Sequence, residues 1–115
     1  MTTAQNAAAS IIATMTANVQ ALEALAQSLE GQDLGAVYVL ANQGVYIKTE
    51  GGKVSACGLT GATRYTLAEA RKLAPTIKNG NNVSPVPVTL GAALAEALTD
   101  SREMLEVITA RAASL

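Results

Sequence analysis

The 115-residue chain contains no histidine, tryptophan or phenylalanine, only three tyrosines and a single cysteine. Histidine is the commonest metal ligand and the usual general base near neutral pH, so its absence removes the simplest route to both kinds of site. One cysteine cannot form a disulfide within the chain, and a catalytic thiolate normally needs a base beside it. We therefore expect no enzymatic activity, no metal and no cofactor, and we interpret Cys57 as a small apolar residue of the core.

A long, uninterrupted apolar run is also missing. The opening stretch MTTAQNAAASIIATM has no basic residue, and polar side chains interrupt its apolar ones. A signal peptide needs a basic start and a membrane span needs about 20 apolar residues, so neither fits. We expect a cytoplasmic protein without membrane contact. Its length, with 50% hydrophobic and 15% charged side chains, indicates a single domain over residues 1–115.

Two long helices are predicted at the ends of the chain. Apolar residues recur at three- and four-residue spacing over residues 3–30 and again over residues 90–115. Thr2 and Gln5 match a capping box at the start of the first helix. A similar pattern that begins at Asp100 would restart a helix, so a break near this residue in the second helix remains an alternative.

Between the long helices, the period of the apolar residues changes to two. Three segments alternate in this way, at residues 35–41, 44–50 and 53–59, and short connections containing glycine separate them. Such connections join antiparallel strands. We therefore predict an α+β fold with a three-stranded antiparallel meander. Residues 37–40 leave both faces of this sheet partly apolar, so the sheet is either covered twice or contributes to an interface.

A short helix is predicted after the meander. Thr66 and Glu69 match a second capping box, and Pro75 ends the regular helix because its ring clashes with the preceding turn. The chain then either forms a further turn or continues as a kinked helix. NGNN at residues 79–82 is predicted as a turn, and SPVPV at residues 84–88 as an extended segment, because proline disfavours helix at the residue before it.

Basic side chains are concentrated in the middle of the chain. Residues 1–35 contain three acids and no base, whereas residues 45–80 contain two acids and six bases. These six bases form the predicted partner-binding surface: Lys48, Lys53, Arg64, Arg71, Lys72 and Lys78. The alternative is that these six bases are ordinary solvent-exposed residues and bind no partner. The apolar side of the short helix should pack on the sheet through Leu67, Ala70, Leu73 and Ala74.

Direct binding of nucleic acid is not the expected function of this basic region. Its six bases are diluted by two acids, and the whole chain has a pI of about 5.3. A dedicated nucleic-acid binder has a stronger positive footprint.

The first long helix also carries a stripe that indicates a homodimer seam. Asn18 interrupts it, as a buried polar residue that sets register does. Packing of this stripe against the C-terminal helix of the same chain is an equal alternative. The stripe consists of Ile11, Met15, Leu22, Leu25 and Leu29.

The stretch ATRYTLAEARKLAPTIKNGN, which follows GVYIKTEGGKV and precedes PVPV, resembles small uncharacterised proteins encoded in phages and prophages. The resemblance implies a phage accessory protein. Chains of this kind include anti-CRISPR proteins and other inhibitors of host defence, which usually occupy the surface of a partner. The implied partner is a host protein or ribonucleoprotein complex, and the resemblance carries no catalytic residues. A phage structural or assembly oligomer and a nucleic-acid-associated regulator remain alternatives.

Overall fold

The computed structural model describes residues 2–78 and 82–115. This part of the chain forms an α+β fold, as predicted, in which one antiparallel sheet has the strand order β3-β2-β1-β4. The helices are α1 (Thr3–Ser28), α2 (Leu67–Leu73) and α3 (Leu90–Ala113). The strands are β1 (Tyr38–Asn42), β2 (Val45–Glu50), β3 (Lys53–Cys57) and β4 (Val86–Thr89).

The prediction of three strands is wrong, because the proline-containing segment adds a fourth. β4 pairs antiparallel with β1, with Thr89 opposite Tyr38 and Val86 opposite Ala41. Pro87 fits in this strand because β4 lies at the edge of the sheet, where a strand does not use all of its N–H groups. The extended conformation follows from the prolines, but the pairing depends on residues distant in the sequence.

Two-residue turns connect the first three strands, which confirms the predicted meander. The residues of the first turn, Gln43 and Gly44, have φ values of 49° and 87°. Those of the second, Gly51 and Gly52, have φ values of 58° and 79°. A type I′ turn needs positive φ at both central residues, and its twist matches that of the strands it joins.

Both long helices form within a few residues of the predicted bounds. α1 begins with the predicted capping box: the Thr2 hydroxyl accepts from the Gln5 amide at 3.1 Å, and the Thr2 amide donates to the Gln5 side chain at 2.9 Å. α3 is continuous, so the helix does not break near Asp100. After α2, Ala74–Thr76 form a single 3-10 turn that contains Pro75. The predicted NGNN turn lies mostly outside the described residues.

Strands β1 and β2 pair only near their turn, and residues 63–65, here called the wedge, fill the gap beyond it. The Thr63 amide donates to the Ile47 carbonyl at 3.2 Å. The Thr63 hydroxyl accepts from the Thr49 amide at 2.8 Å and donates to the Thr49 carbonyl at 3.3 Å. The wedge therefore supplies β2 with the hydrogen bonds that β1 does not make.

The other end of the wedge bonds to β1. Tyr65 and Tyr38 exchange two backbone hydrogen bonds, of 2.8 and 2.9 Å. The Tyr65 hydroxyl also lies 2.6 Å from the Thr49 hydroxyl. A short irregular segment thus joins two strands that diverge, and it carries the chain toward α2.

Replacing Thr63 with valine tests the contribution of the wedge. Valine keeps the shape of threonine but removes the hydroxyl, so two half-buried backbone groups of Thr49 lose their partner. We expect the free energy of unfolding to fall by about 1–2 kcal/mol in urea titrations. Thr63→Ser keeps the hydroxyl and serves as the control. Equal stability of the valine variant and the wild type would contradict this role.

Different helices cover the two faces of the sheet. Val39 and Leu40, neighbours in β1, are both 0% exposed and point to opposite sides. Val39 belongs to a first core with α1 and α3: Leu22, Leu29, Val39, Leu59, Leu90, Ala93 and Leu94. Leu40 belongs to a second core with α2: Leu40, Ile47, Ala70 and Ala74. Of the two predicted alternatives for the sheet, coverage on both faces is the one observed.

Helices α1 and α3 form an antiparallel pair. Near the middle of α1, the Asn18 side-chain amide donates to the Ser101 hydroxyl of α3 at 3.3 Å. At its end, Leu29 shares the first core with Leu90, the first residue of α3. The later part of each helix therefore lies beside the earlier part of the other.

Most of the predicted dimer stripe faces inward in this pair. Leu22 and Leu29 are 4% and 3% exposed, and Leu25 packs against the first core. Asn18 bonds to α3 of the same chain. The structure therefore has the internal packing that was the alternative for these residues, and Ile11, 49% exposed, is the member of the stripe that it leaves open.

Candidate functional site

The six predicted partner-binding residues do not form one surface. Lys48 follows Tyr46 by two positions in β2, and Tyr46 packs against the first core. Lys53 lies opposite Glu50, which follows Lys48 by two positions. Alternation along the strand places both lysines on the α1 and α3 side of the sheet. α2 covers the other side, and its basic residues lie there.

An acidic neighbour offsets the charge of the two strand lysines. The Lys48 ammonium lies 3.4 Å from the Glu50 carboxylate, and both side chains are exposed. Because the same glutamate faces Lys53 in the strand register, two bases share one acid. An exposed pair of this kind contributes little to stability. It does lower the positive charge that the β2–β3 hairpin presents to a partner.

Helix α2 separates its apolar and basic sides as predicted. Ala70 and Ala74 are 0% and 5% exposed and belong to the second core. Leu73 packs against this core from a half-buried position, as predicted, whereas Leu67 is half-buried and lies in neither core cluster. α2 is short and lies at the surface, so its leucines contact the sheet with only part of each side chain. Arg71 and Lys72 are exposed.

The predicted capping box engages the nearest acid of α2. The Thr66 amide donates to the Glu69 carboxylate at 3.0 Å, and the Glu69 amide donates to the Thr66 hydroxyl at 3.2 Å. Hydrogen bonds from the backbone and then the side chain of Thr66 lower the pKa of Glu69. This carboxylate is therefore fixed at the first turn of α2.

The other four bases of the predicted surface lie around α2. Among the described residues, none of them makes an ion pair within 4 Å. We call these residues the basic segment: Arg64, Arg71, Lys72 and Lys78. All four are exposed. Beside them is a shallow depression of about 340 Å³, which the acidic residue Glu69 lines together with Tyr65, Lys72, Leu73 and Thr76. Exposed bases beside a partly apolar depression can be recognised by a protein partner.

Cys57 is not a core residue, and that prediction is wrong. It is half-buried at the end of β3 and lies in neither core cluster. The reason is that β3 is an edge strand whose preceding residues are all exposed. Partial burial raises the pKa of the Cys57 thiol, and the nearby charge of Lys48 acts in the opposite direction.

Removing this charge should make the thiol less reactive. In Lys48→Ala, burial acts without opposition, so we expect the pKa of Cys57 to rise further and the rate of alkylation at a given pH to fall, because the thiolate is the nucleophile. The measurement is the rate of iodoacetamide labelling against pH. Lys53→Ala is the matched control and should leave the profile unchanged. Identical profiles for the wild type and Lys48→Ala would contradict the electrostatic contact.

A helical surface that the sequence singled out only in part, through Ile11 and Met15 of the predicted stripe, is left uncovered. We call it the arm, formed by residues 3–18 of α1 and residues 101–113 of α3. None of its described residues is buried. Ile11, Met104 and Val107 are 49%, 54% and 47% exposed. The apolar periodicity of both helices was visible, but it could not show that the sheet covers only half of their length.

The described residues contain no group of three or more acidic, cysteine or histidine side chains that could hold a metal ion. In the same part of the chain, no helix has the length and apolar character needed to cross a membrane. Comparisons with protein-family models, curated proteins and solved structures find no match to this chain.

Proposed function

We propose that the protein acts by binding another protein through the basic segment, without catalysing a reaction. The observation that supports this most is the division of α2 into two sides. Ala70 and Ala74 hold the helix against the sheet, so Arg71 and Lys72 are presented outward from a fixed position. Side chains presented from a packed helix lose less freedom on binding than those on a mobile loop.

The biological setting of this proposal comes from the phage-like motif of the α2 region. The protein is then a phage accessory protein that inhibits a host defence system by covering the surface of a host protein or ribonucleoprotein complex, as anti-CRISPR proteins do. Host-cell cytoplasm is the corresponding compartment. An acidic partner surface fits the charge of the basic segment.

Affinity capture from bacterial lysate tests the proposal. Tagged wild-type protein should retain a specific partner, identified by mass spectrometry, after nuclease treatment. Arg71→Glu/Lys72→Glu should lose that partner, while Lys48→Glu/Lys53→Glu, with the same change of charge on the other side of the sheet, should keep it. Equal retention by both double variants would overturn the proposed surface. Loss of the partner after nuclease treatment and a steep salt dependence would support the nucleic-acid regulator instead.

A second candidate function, a phage structural or assembly oligomer, is favoured by the arm. Contiguous exposed apolar side chains on a soluble domain mark interaction sites. Self-association in the absence of any host partner would support this candidate.

A further inference from the structure

We infer that the arm is a self-association surface on which a second copy of the chain docks, with the two α3 helices antiparallel and Val107 at the two-fold axis. This inference does not depend on the basic segment, which lies on a different part of the molecule. It rests on which side of the α1–α3 pair is open, on the charges along that side and on its size.

The open side of the arm continues the side that the sheet covers elsewhere. Leu25 and Ala97 are half-buried and pack against the first core, which contains Val39 of the sheet. In packed helices, residues seven positions apart share a side. Ile11 lies 14 positions before Leu25, which is twice this spacing, and Met104 lies seven positions after Ala97. The face that meets the sheet at one end of the pair is therefore uncovered at the other.

An ion pair links the two helices near the end of the arm. There the Arg102 guanidinium lies 3.7 Å from the Glu23 carboxylate, which links α3 to α1. The exposed large apolar residues of the two arm helices are Ile11, Met104 and Val107. At about 100° per residue, Ile11 lies within about 40° of Leu25 and Met104 within about 20° of Ala97, whereas Val107 lies about 80° from Ala97, on the flank of α3. Another side of α3 has a depression lined by Arg102, Leu105, Glu106, Thr109, Ala110 and Ala113. The large exposed apolar side chains, however, are Ile11, Met104 and Val107, so we place the contact on their side.

The charges on α3 are complementary to those of a second α3 in the antiparallel orientation. Glu103, Val107 and Arg111 follow one another at four-residue spacing, so they form one row along the helix. A two-fold axis at Val107 places Glu103 of each copy beside Arg111 of the other. Neither residue makes an ion pair within 4 Å inside the described part of the chain. Both are therefore available for this exchange, which occurs twice in a symmetric interface.

The α1 half of the arm presents no charge that would oppose the contact. The first charged residue of the chain is Glu23, and it lies beyond the arm. A two-fold interface brings identical patches together, so each copy would have to supply a partner for any charge on α1 of the other copy. This part of α1 offers no opposite charge to a strongly acidic or strongly basic partner. These features favour a second copy as the occupant.

The size of the surface is sufficient for a weak dimer. The arm is about 20 Å long at 1.5 Å per residue, and two helices side by side are about 20 Å wide. An interface that used the whole of this patch would bury about 500 Å² on each copy, or about 1,000 Å² in total, which is near the lower limit of specific interfaces. We therefore expect a dimer that dissociates on dilution.

Sedimentation velocity over a range of protein concentrations tests this inference. The wild type should move from the mass of one chain to twice that mass as the concentration rises into the high micromolar range. Val107→Glu should remain a monomer throughout. Ala13→Glu introduces the same charge at an exposed position on the other side of the arm and should dimerise like the wild type. Circular dichroism of each variant verifies the fold. A wild type that stays monomeric, or a Val107→Glu protein that dimerises normally, overturns the inference.

Charge exchange tests the antiparallel arrangement. Glu103→Arg and Arg111→Glu should each weaken dimerisation about tenfold, because two attractive pairs become repulsive. The double variant Glu103→Arg/Arg111→Glu restores both pairs and should dimerise within about threefold of the wild type. If the double variant is weaker than either single variant, the proposed pairing is wrong.

Discussion

Replacing Leu40 with alanine should lower the free energy of unfolding by about 2–5 kcal/mol. Leu40 is 0% exposed and lies between β1 and α2, where its side chain contributes most of the volume of the second core together with Ile47. The facing residues, Ala70 and Ala74, are short and fixed to the helix backbone. They cannot fill the space that the leucine leaves, so a cavity should remain.

Urea unfolding with the same spectroscopic probe for each variant measures this loss. Val54→Ala is the matched control, because Val54 lies on the same face of the sheet but is 50% exposed. Val54→Ala should lower the free energy of unfolding by less than about 1 kcal/mol. A loss below about 1 kcal/mol in Leu40→Ala would mean that α2 is not held against the sheet as described.

Reversing the charge of Arg71 and Lys72 to glutamate should weaken binding of the captured partner at least tenfold. The expected loss is mainly in the association rate, because unlike charges steer the encounter. Both residues are exposed, and they lie in the last turn of α2, where basic residues are mildly favourable. The thermal midpoint should therefore fall by only a few degrees.

Lys48→Glu/Lys53→Glu carries the same change of charge to the other side of the sheet and should bind the partner like the wild type. Salt titration of the wild-type affinity gives an independent check, since added salt screens an attraction between exposed charges. Unchanged affinity in the α2 variant would mean that the basic segment is ordinary solvated surface.

The parts of the fold that depend on neighbouring residues could be predicted from the sequence. The capping boxes at Thr2 and Thr66 need only a residue three positions away, and both are present. The turns at Gly44 and Gly51 are set by local backbone preference. Alternation of apolar residues then defined three of the four strands within a few residues.

The remaining features depend on contacts between distant segments. Val86 and Val88 were predicted as extended, but nothing near them in the sequence indicates pairing with β1. The wedge residue Thr63 lies in an irregular segment without periodicity. Its role comes from the divergence of β1 and β2, which is a property of the folded sheet.

The sequence predicted which basic residues are available for a site, but not where they lie on the folded molecule. Six bases were identified, and the strand register then separates Lys48 and Lys53 from the four around α2. The division within α2 followed from its apolar spacing. Only Ile11 and Met15 of the arm were singled out, because burial of a helix side depends on how far the sheet extends beneath it, and the sequence pattern of α1 and α3 is similar in both halves.

Amide hydrogen exchange of the protein alone and of its complex with the captured partner tests the proposed mode of action most directly. α2 is short and exposed on one side, so its amides should exchange measurably in the free protein. We predict that binding slows exchange within residues 64–78 and leaves the β2–β3 hairpin unchanged. Slowed exchange confined to the hairpin or to the arm, with residues 64–78 exchanging at their original rate, would contradict the account.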